Sequence, residues 1–109
     1  MIESNWINPG THVCTLGPKE QNRHEFPANL AGRAALVVTD SLAQLAAYPG
    51  GHLFADVPVR SLGACLKDLP VRQSNDITVF LSVGLAGTEV LLADALLSLV
   101  WSTETALLP

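Results

Sequence analysis

Apolar residues fall along this chain in short β-branched runs that alternate with helical stretches. The run at residues 77–80, Ile-Thr-Val-Phe, has Asp76 before it and Ser82 and Gly84 after it, the punctuation of a central parallel strand. Thr11-His12-Val13-Cys14-Thr15-Leu16 alternates and branches like a strand that ends at Gly17-Pro18, and Ala34-Ala35-Leu36-Val37-Val38-Thr39 gives a second apolar strand. Between these two, residues 19–25 read as a polar loop, and residues 27–31 open a short helix with Pro27 in its first turn. Asp40-Ser41 caps a helix over residues 42–48, which Pro49-Gly50-Gly51 stops. Residues 59–66 read as another short helix and 70–76 as a loop into the strand at 77–80. Strand, helix, strand, helix, strand, helix is the order of a parallel sheet with right-handed crossovers.

The last apolar segment, residues 85–101, differs from the others because its apolar positions wrap nearly all the way round a helix. A surface helix shows one apolar stripe, whereas an apolar cylinder is buried in a core or at an interface. Either this is the central helix of a compact monomer or it is covered by another chain. Glu89 and Asp94 interrupt the segment too early for a membrane span. The expected fold is α/β in three layers, half of a Rossmann-like doubly wound sheet with about three parallel strands and crossover helices. Three strands leave an open edge, so oligomerisation is expected to complete the sheet.

Length confines this pattern to a single domain, residues 1–109, which buries about two-thirds of the unfolded chain's surface. The net charge is −4, and the six Lys and Arg residues form no cluster, which argues against a nucleic-acid or anionic-membrane surface. A metabolite or another protein is the expected partner. Cys14 and Cys65 lie far apart with no CxxC spacing, and the opening Met1-Ile2-Glu3-Ser4 has no basic region followed by an apolar one. The reading is a cytoplasmic protein with reduced thiols.

Candidate chemistry centres on Ser82-x-Gly84-x-x-Gly87, which has the spacing of the dinucleotide fingerprint with serine in place of the first glycine. Such a turn aims backbone N–H groups at a phosphate or a carbonyl. The acidic ribose partner expected about 20 residues on falls near Glu104, in the terminal tail and not at a strand end. His12, His24 and His52 are scattered and, with the two cysteines, show no zinc spacing, so no metal site is expected. His12 reads as a hydrogen-bonding residue at a strand end, His24-Glu25 as a solvated loop pair, and Arg60, Lys67 and Arg72 as surface charges. Ser82 lies outside a GxSxG elbow, with no His and Asp spaced to activate it.

Trp6-x-x-Pro9-Gly10-Thr11-His12-Val13, Leu16-Gly17 with Arg23-His24-Glu25, Val37-Val38-Thr39-Asp40-Ser41, Leu62-Gly63, Arg72, and Ile77-Thr78-Val79-Phe80-x-Ser82-x-Gly84-Leu85-Ala86 together resemble the C-terminal part of the ornithine cyclodeaminase/μ-crystallin family. The resemblance runs from residue 5 to about residue 100. It implies an NAD(P)-binding Rossmann domain joined to a substrate and dimerisation domain, and hydride transfer on amino acids or cyclic imines. It covers only the nicotinamide-side half of the dinucleotide domain, because the family's glycine fingerprint and ribose-binding position precede the matched part. Where the family's cyclodeaminases carry an acid/base aspartate, this chain has Lys19. An amine replaces a carboxylate base only after a large downward pKa shift, which needs deep burial. Leu81 stands where the family's Phe-Asp-Ser motif has its aspartate.

Two functional classes follow from the resemblance. In one the chain is part of an NAD(P)-dependent reductase or cyclodeaminase, with a second chain supplying the fingerprint half. Gly17, Pro18, Ser82, Val83 and Gly84 would then line a shared, or vestigial, cofactor cleft. In the other, which the missing phosphate cradle favours, it is a non-catalytic stand-alone binding and assembly module without catalytic residues or cofactor, most simply a homodimer. The turns Gly17-Pro18 and Ser82-Val83-Gly84 are expected side by side at the C-terminal edge of the sheet. There they either form a pocket for a small anion or carboxylate, with Ser82 as hydroxyl donor and Lys19 adding charge, or belong to an ordinary capped helix.

Overall fold

The structure is a computed structural model that describes residues 1–84 and 86–107. Four strands form one sheet in the order β1-β4-β2-β3: β1 is His12–Thr15, β2 Ala34–Thr39, β3 Arg60–Ser61 and β4 Ile77–Leu81. All three pairings are parallel, with Thr15 opposite Leu81, Leu81 opposite Thr39, and Thr39 opposite Ser61. The α/β reading holds, and the sheet has one strand more than expected. β3 lies inside the stretch read as a helix over 59–66, and only Leu62–Lys67 of that stretch is helical (α3). Two residues cannot display a period of two, so nothing in the local pattern marks β3.

The one-turn helix α1, Leu30–Arg33, starts later than the proline signal implied, and α2 covers Leu42–Ala46. Leu30 and Leu45 bring these helices onto one face of the sheet, where Val13, Val37, Ile77, Val79 and Leu81 form the core with Ile7, Phe26 and Phe54. The Phe26 and Phe54 rings meet at 5.3 Å between centroids, in the tilted geometry that aromatic pairs favour. Arg33 donates to the carbonyls of Ser4 and Ile7, so the N-terminal segment is tied across the same layer.

The other face is unevenly covered. α3 lies over β2 and β3, and beside it an apolar groove of about 470 Å³ runs across Leu36, Val38, Thr78 and Phe80 towards Cys65 and Leu69. β1 has a neighbour on one side only and exposes His12 and Cys14.

The last helix, α4, spans Ala86–Leu107, 22 residues, and so runs past the expected end at residue 101. Leu85, which the sequence reading placed at its start, lies outside the described residues. Glu104 falls within α4 rather than in a tail. From Val90 to Val100 its seven Val and Leu residues are each more than half exposed. The helix therefore stands away from the body. The radius of gyration is 17.8 Å, against about 13 Å for a compact chain of this length, and the longest extent is 60 Å. Of the two readings of this helix, the centre of a compact monomer is the one that fails. Among the described residues no helix is long and apolar enough to cross a membrane.

Candidate functional site at the C-terminal edge of the sheet

Parallel strands deliver their following turns to one edge, and β1 and β4 are adjacent, so Gly17-Pro18 and Ser82-Val83-Gly84 do lie side by side. The turns are bound to each other through the backbone, since Ser82 N donates to Thr15 O at 3.1 Å. Gly17, Pro18, Ser82 and Val83 are half-buried and Gly84 is exposed, with φ +78° where the chain turns towards α4.

Asp40 and Ser41, expected to act together as a cap, have separate tasks. Ser41 Oγ accepts from Gln44 N at 3.2 Å and caps α2. Asp40 instead reaches across the edge, where its Oδ1 accepts from Val83 N at 3.0 Å. Thr39 Oγ1 donates to Leu81 O at 2.9 Å, so β2 holds the end of β4 by side chains as well as by the ladder. Residues 42 and 43 positions apart make these contacts, and no local pattern in the sequence announces them.

Lys19 is the second departure from expectation. Its loop was read as polar and solvated, yet Lys19 is 0% exposed, and its Nζ donates to Gly17 O at 2.7 Å. Burial lowers its pKa from the ordinary value, while Glu25, Asp40 and Cys14 pull it back upwards. The side chain is turned into the protein, with its amine against the Gly17 carbonyl of the first turn. Glu25 is likewise no solvated loop residue. It is half-buried and its Oε1 accepts from Gly17 N at 2.8 Å, clasping the turn from the other side. His24 is half-buried too, with Nδ1 3.2 Å from Glu20 O and its ring against Phe26. Thr15 Oγ1 is buried with no hydrogen-bond partner among the described residues.

Other candidates stand closer to their expected places. His12 Nδ1 lies 2.7 Å from Thr78 Oγ1, a strand-to-strand hydrogen bond. Arg60 and Lys67 sit at the surface. Arg72 is exposed, but it also binds the carbonyls of Gly10 and Asp76 and so fastens the loop before β4 to the turn before β1. Among the described residues, no three His, Cys, Asp or Glu side chains group to hold a metal ion.

Two of the backbone donors at this edge are already engaged within the protein. A phosphate cradle needs free backbone donors at a glycine-rich turn. Here Ser82 N and Val83 N are both taken by protein acceptors, and the sequence contains no Gly-x-Gly. The two carboxylates nearest the turns are engaged with backbone N–H groups. The amine at the position of the family's aspartate is buried against a carbonyl.

No curated protein matches the chain at significant similarity. The ornithine cyclodeaminase/mu-crystallin family matches over residues 1–100, and the matched stretch contains the whole sheet, all of its crossovers and both turns of the edge just described. The chain therefore belongs to the ornithine cyclodeaminase/mu-crystallin family, of which it carries a partial domain.

Proposed function

We propose that this chain is a non-catalytic binding and assembly module, built from the C-terminal half of an ornithine cyclodeaminase-like NAD(P)-binding domain and working as a homodimer. The observation that carries this reading is the uncovered half of the molecule: β1 forms an open edge, and α4 holds its apolar side chains in solvent. Soluble chains cover surfaces of this kind with another subunit. The chemistry of the edge points the same way. Lys19, Glu25 and Asp40 each hold a backbone partner, so each has a structural task at the turns. Losing the pyrophosphate donors, at about 1.5–3 kcal/mol for each charge-assisted hydrogen bond, removes several powers of ten in nucleotide affinity.

The adjacency of Gly17-Pro18 and Ser82-Val83-Gly84 supports a second reading, in which a second polypeptide supplies the fingerprint half and these five residues line the nicotinamide end of a shared cleft. Calorimetric titration of the purified chain with NADH and NADPH, followed by a hydride-transfer assay on ornithine, proline and cyclic imines, tests the module reading. The module reading expects no binding tighter than about 100 μM, roughly −5.5 kcal/mol, and no turnover. Tighter binding or turnover by the chain alone overturns it.

A further inference from the structure

We infer that the groove on the open face of the sheet is the seat of α4 from a second copy of this chain, so that two copies exchange their last helices reciprocally. The inference rests on the assembly reading and names the surfaces that would do the assembling. An apolar groove floored by Val38, Thr78 and Phe80 opens to solvent beside the exposed Leu62 and Leu69, and the same molecule carries an exposed apolar helix. Each surface has what the other lacks. A two-fold axis that places each helix in the other's groove closes the assembly at two copies and leaves neither surface free for further growth.

Charge agrees with this pairing. Glu89 and Asp94 are the charged residues of α4 whose side chains are described, and the chain has no Lys or Arg after Arg72. The groove carries cationic Arg72 and the imidazole of His12 in its wall. Two copies of α4 packed on each other would instead bring acidic helices together without a base between them, an arrangement that like-charge repulsion disfavours. The exit of the helix favours exchange over folding back on its own groove. Ser82 N is held by Thr15 O and Val83 N by Asp40 Oδ1, and Gly84 follows at φ +78°, so the approach to α4 is tied to its own body as far as Val83. At 1.5 Å per residue the helix reaches about 33 Å, long enough to cross a neighbouring sheet.

The test uses two full-length variants whose changed side chains are already exposed, so the body of the fold does not depend on them. Leu69→Glu charges the groove, at a residue 75% exposed, and Leu96→Glu with Leu97→Glu charges the helix, at residues 54% and 57% exposed. Mass is read by light scattering after size exclusion, with circular dichroism confirming that each variant is folded. The expected result is a dimeric parent, each variant weakened at least 100-fold and monomeric at micromolar concentration, and a mixed dimer when the two are combined. The mixture retains one intact pairing, the unaltered groove of the helix variant with the unaltered helix of the groove variant. If the parent is dimeric and Leu69→Glu stays as dimeric as the parent, or mixing restores nothing, the exchange is wrong and the assembly reading stands. A monomeric parent overturns both.

Discussion

Restoring the carboxylate that the cyclodeaminases of this family carry should damage this protein. Lys19→Asp places an acid where the chain buries an amine at 0% exposure, between Glu25 and Asp40, which both favour a positive charge there. The aspartate has no opposite charge to meet and loses the bond to Gly17 O. Leaving an uncompensated charge in a buried site costs about 3–5 kcal/mol. Protonation offers one escape, and at about 1.4 kcal/mol for each of the three pH units between an ordinary aspartate and pH 7 it costs about 4 kcal/mol. Both routes give the same size of loss. With an m-value near 1.5 kcal/mol/M, the urea midpoint at pH 7 falls by about 2 M or more. Lys19→Met keeps the volume, loses one hydrogen bond and removes the buried amine, so it stays within about 1 kcal/mol of the parent.

The pH profiles separate the variants further. Burial lowers the parent's Lys19 pKa in the folded state, so below 10.5 there is a window in which the unfolded chain binds the extra proton and the folded chain does not. Stability contributed by Lys19 therefore rises with pH through that window and is complete above 10.5. Lys19→Met lacks this rise. Lys19→Asp has the opposite slope: its buried carboxyl holds a proton that the unfolded chain releases above about pH 4, so it recovers towards acid. Urea titrations followed by far-ultraviolet circular dichroism between acid and alkaline pH read all three. A Lys19→Asp chain as stable as the parent at pH 7, with no recovery in acid, would refute the reasoning.

Three further outcomes test particular joints. Gly10→Ala should cost about 2–4 kcal/mol in thermal unfolding, because Gly10 sits at φ +86° and an added Cβ would lie 2.7 Å from the carbonyl oxygen of Ser74. Asp40→Ala removes the acceptor of Val83 N and should cost about 1–3 kcal/mol, with hydrogen exchange at the Val83 amide rising in step. Thr39→Val keeps the shape of a fully buried side chain and loses the bond to Leu81 O and the one accepted from Ser41 N, so chemical unfolding should register about 1–2 kcal/mol.

What could be read from the sequence is what the backbone encodes locally. The β-branched run ending at Phe80, the alternation from Thr11 to Leu16 and the punctuation by Gly17-Pro18 and Ser82-x-Gly84 each carry their own signal, and together they fix strands, turns and the shared edge. The all-round apolar pattern of the last helix was equally plain, and it is matched by a helix with its Leu and Val side chains in solvent. The rest depended on distance along the chain. β3 exists because Val38 and Thr39 pair with Arg60 and Ser61, and two residues cannot advertise a strand. Lys19 looks solvated among Glu20, Gln21, Asn22 and Arg23, yet it is buried, with Gly17 O accepting from its amine and its own carbonyl accepting from Leu53 N, 34 residues away. Asp40 looks like a helix cap until β4 delivers Val83 N to it from 43 residues away.

Pairing of two copies of this half of a dinucleotide fold would change both its mass and its shape in solution. Sedimentation velocity of the unmodified chain over a micromolar concentration series tests it most directly, because it reads mass and shape together. A homodimer sediments as one species at twice the chain mass, with a frictional ratio lower than that of a body trailing an unpacked 22-residue helix. A single species at the mass of one chain across the whole series would contradict it.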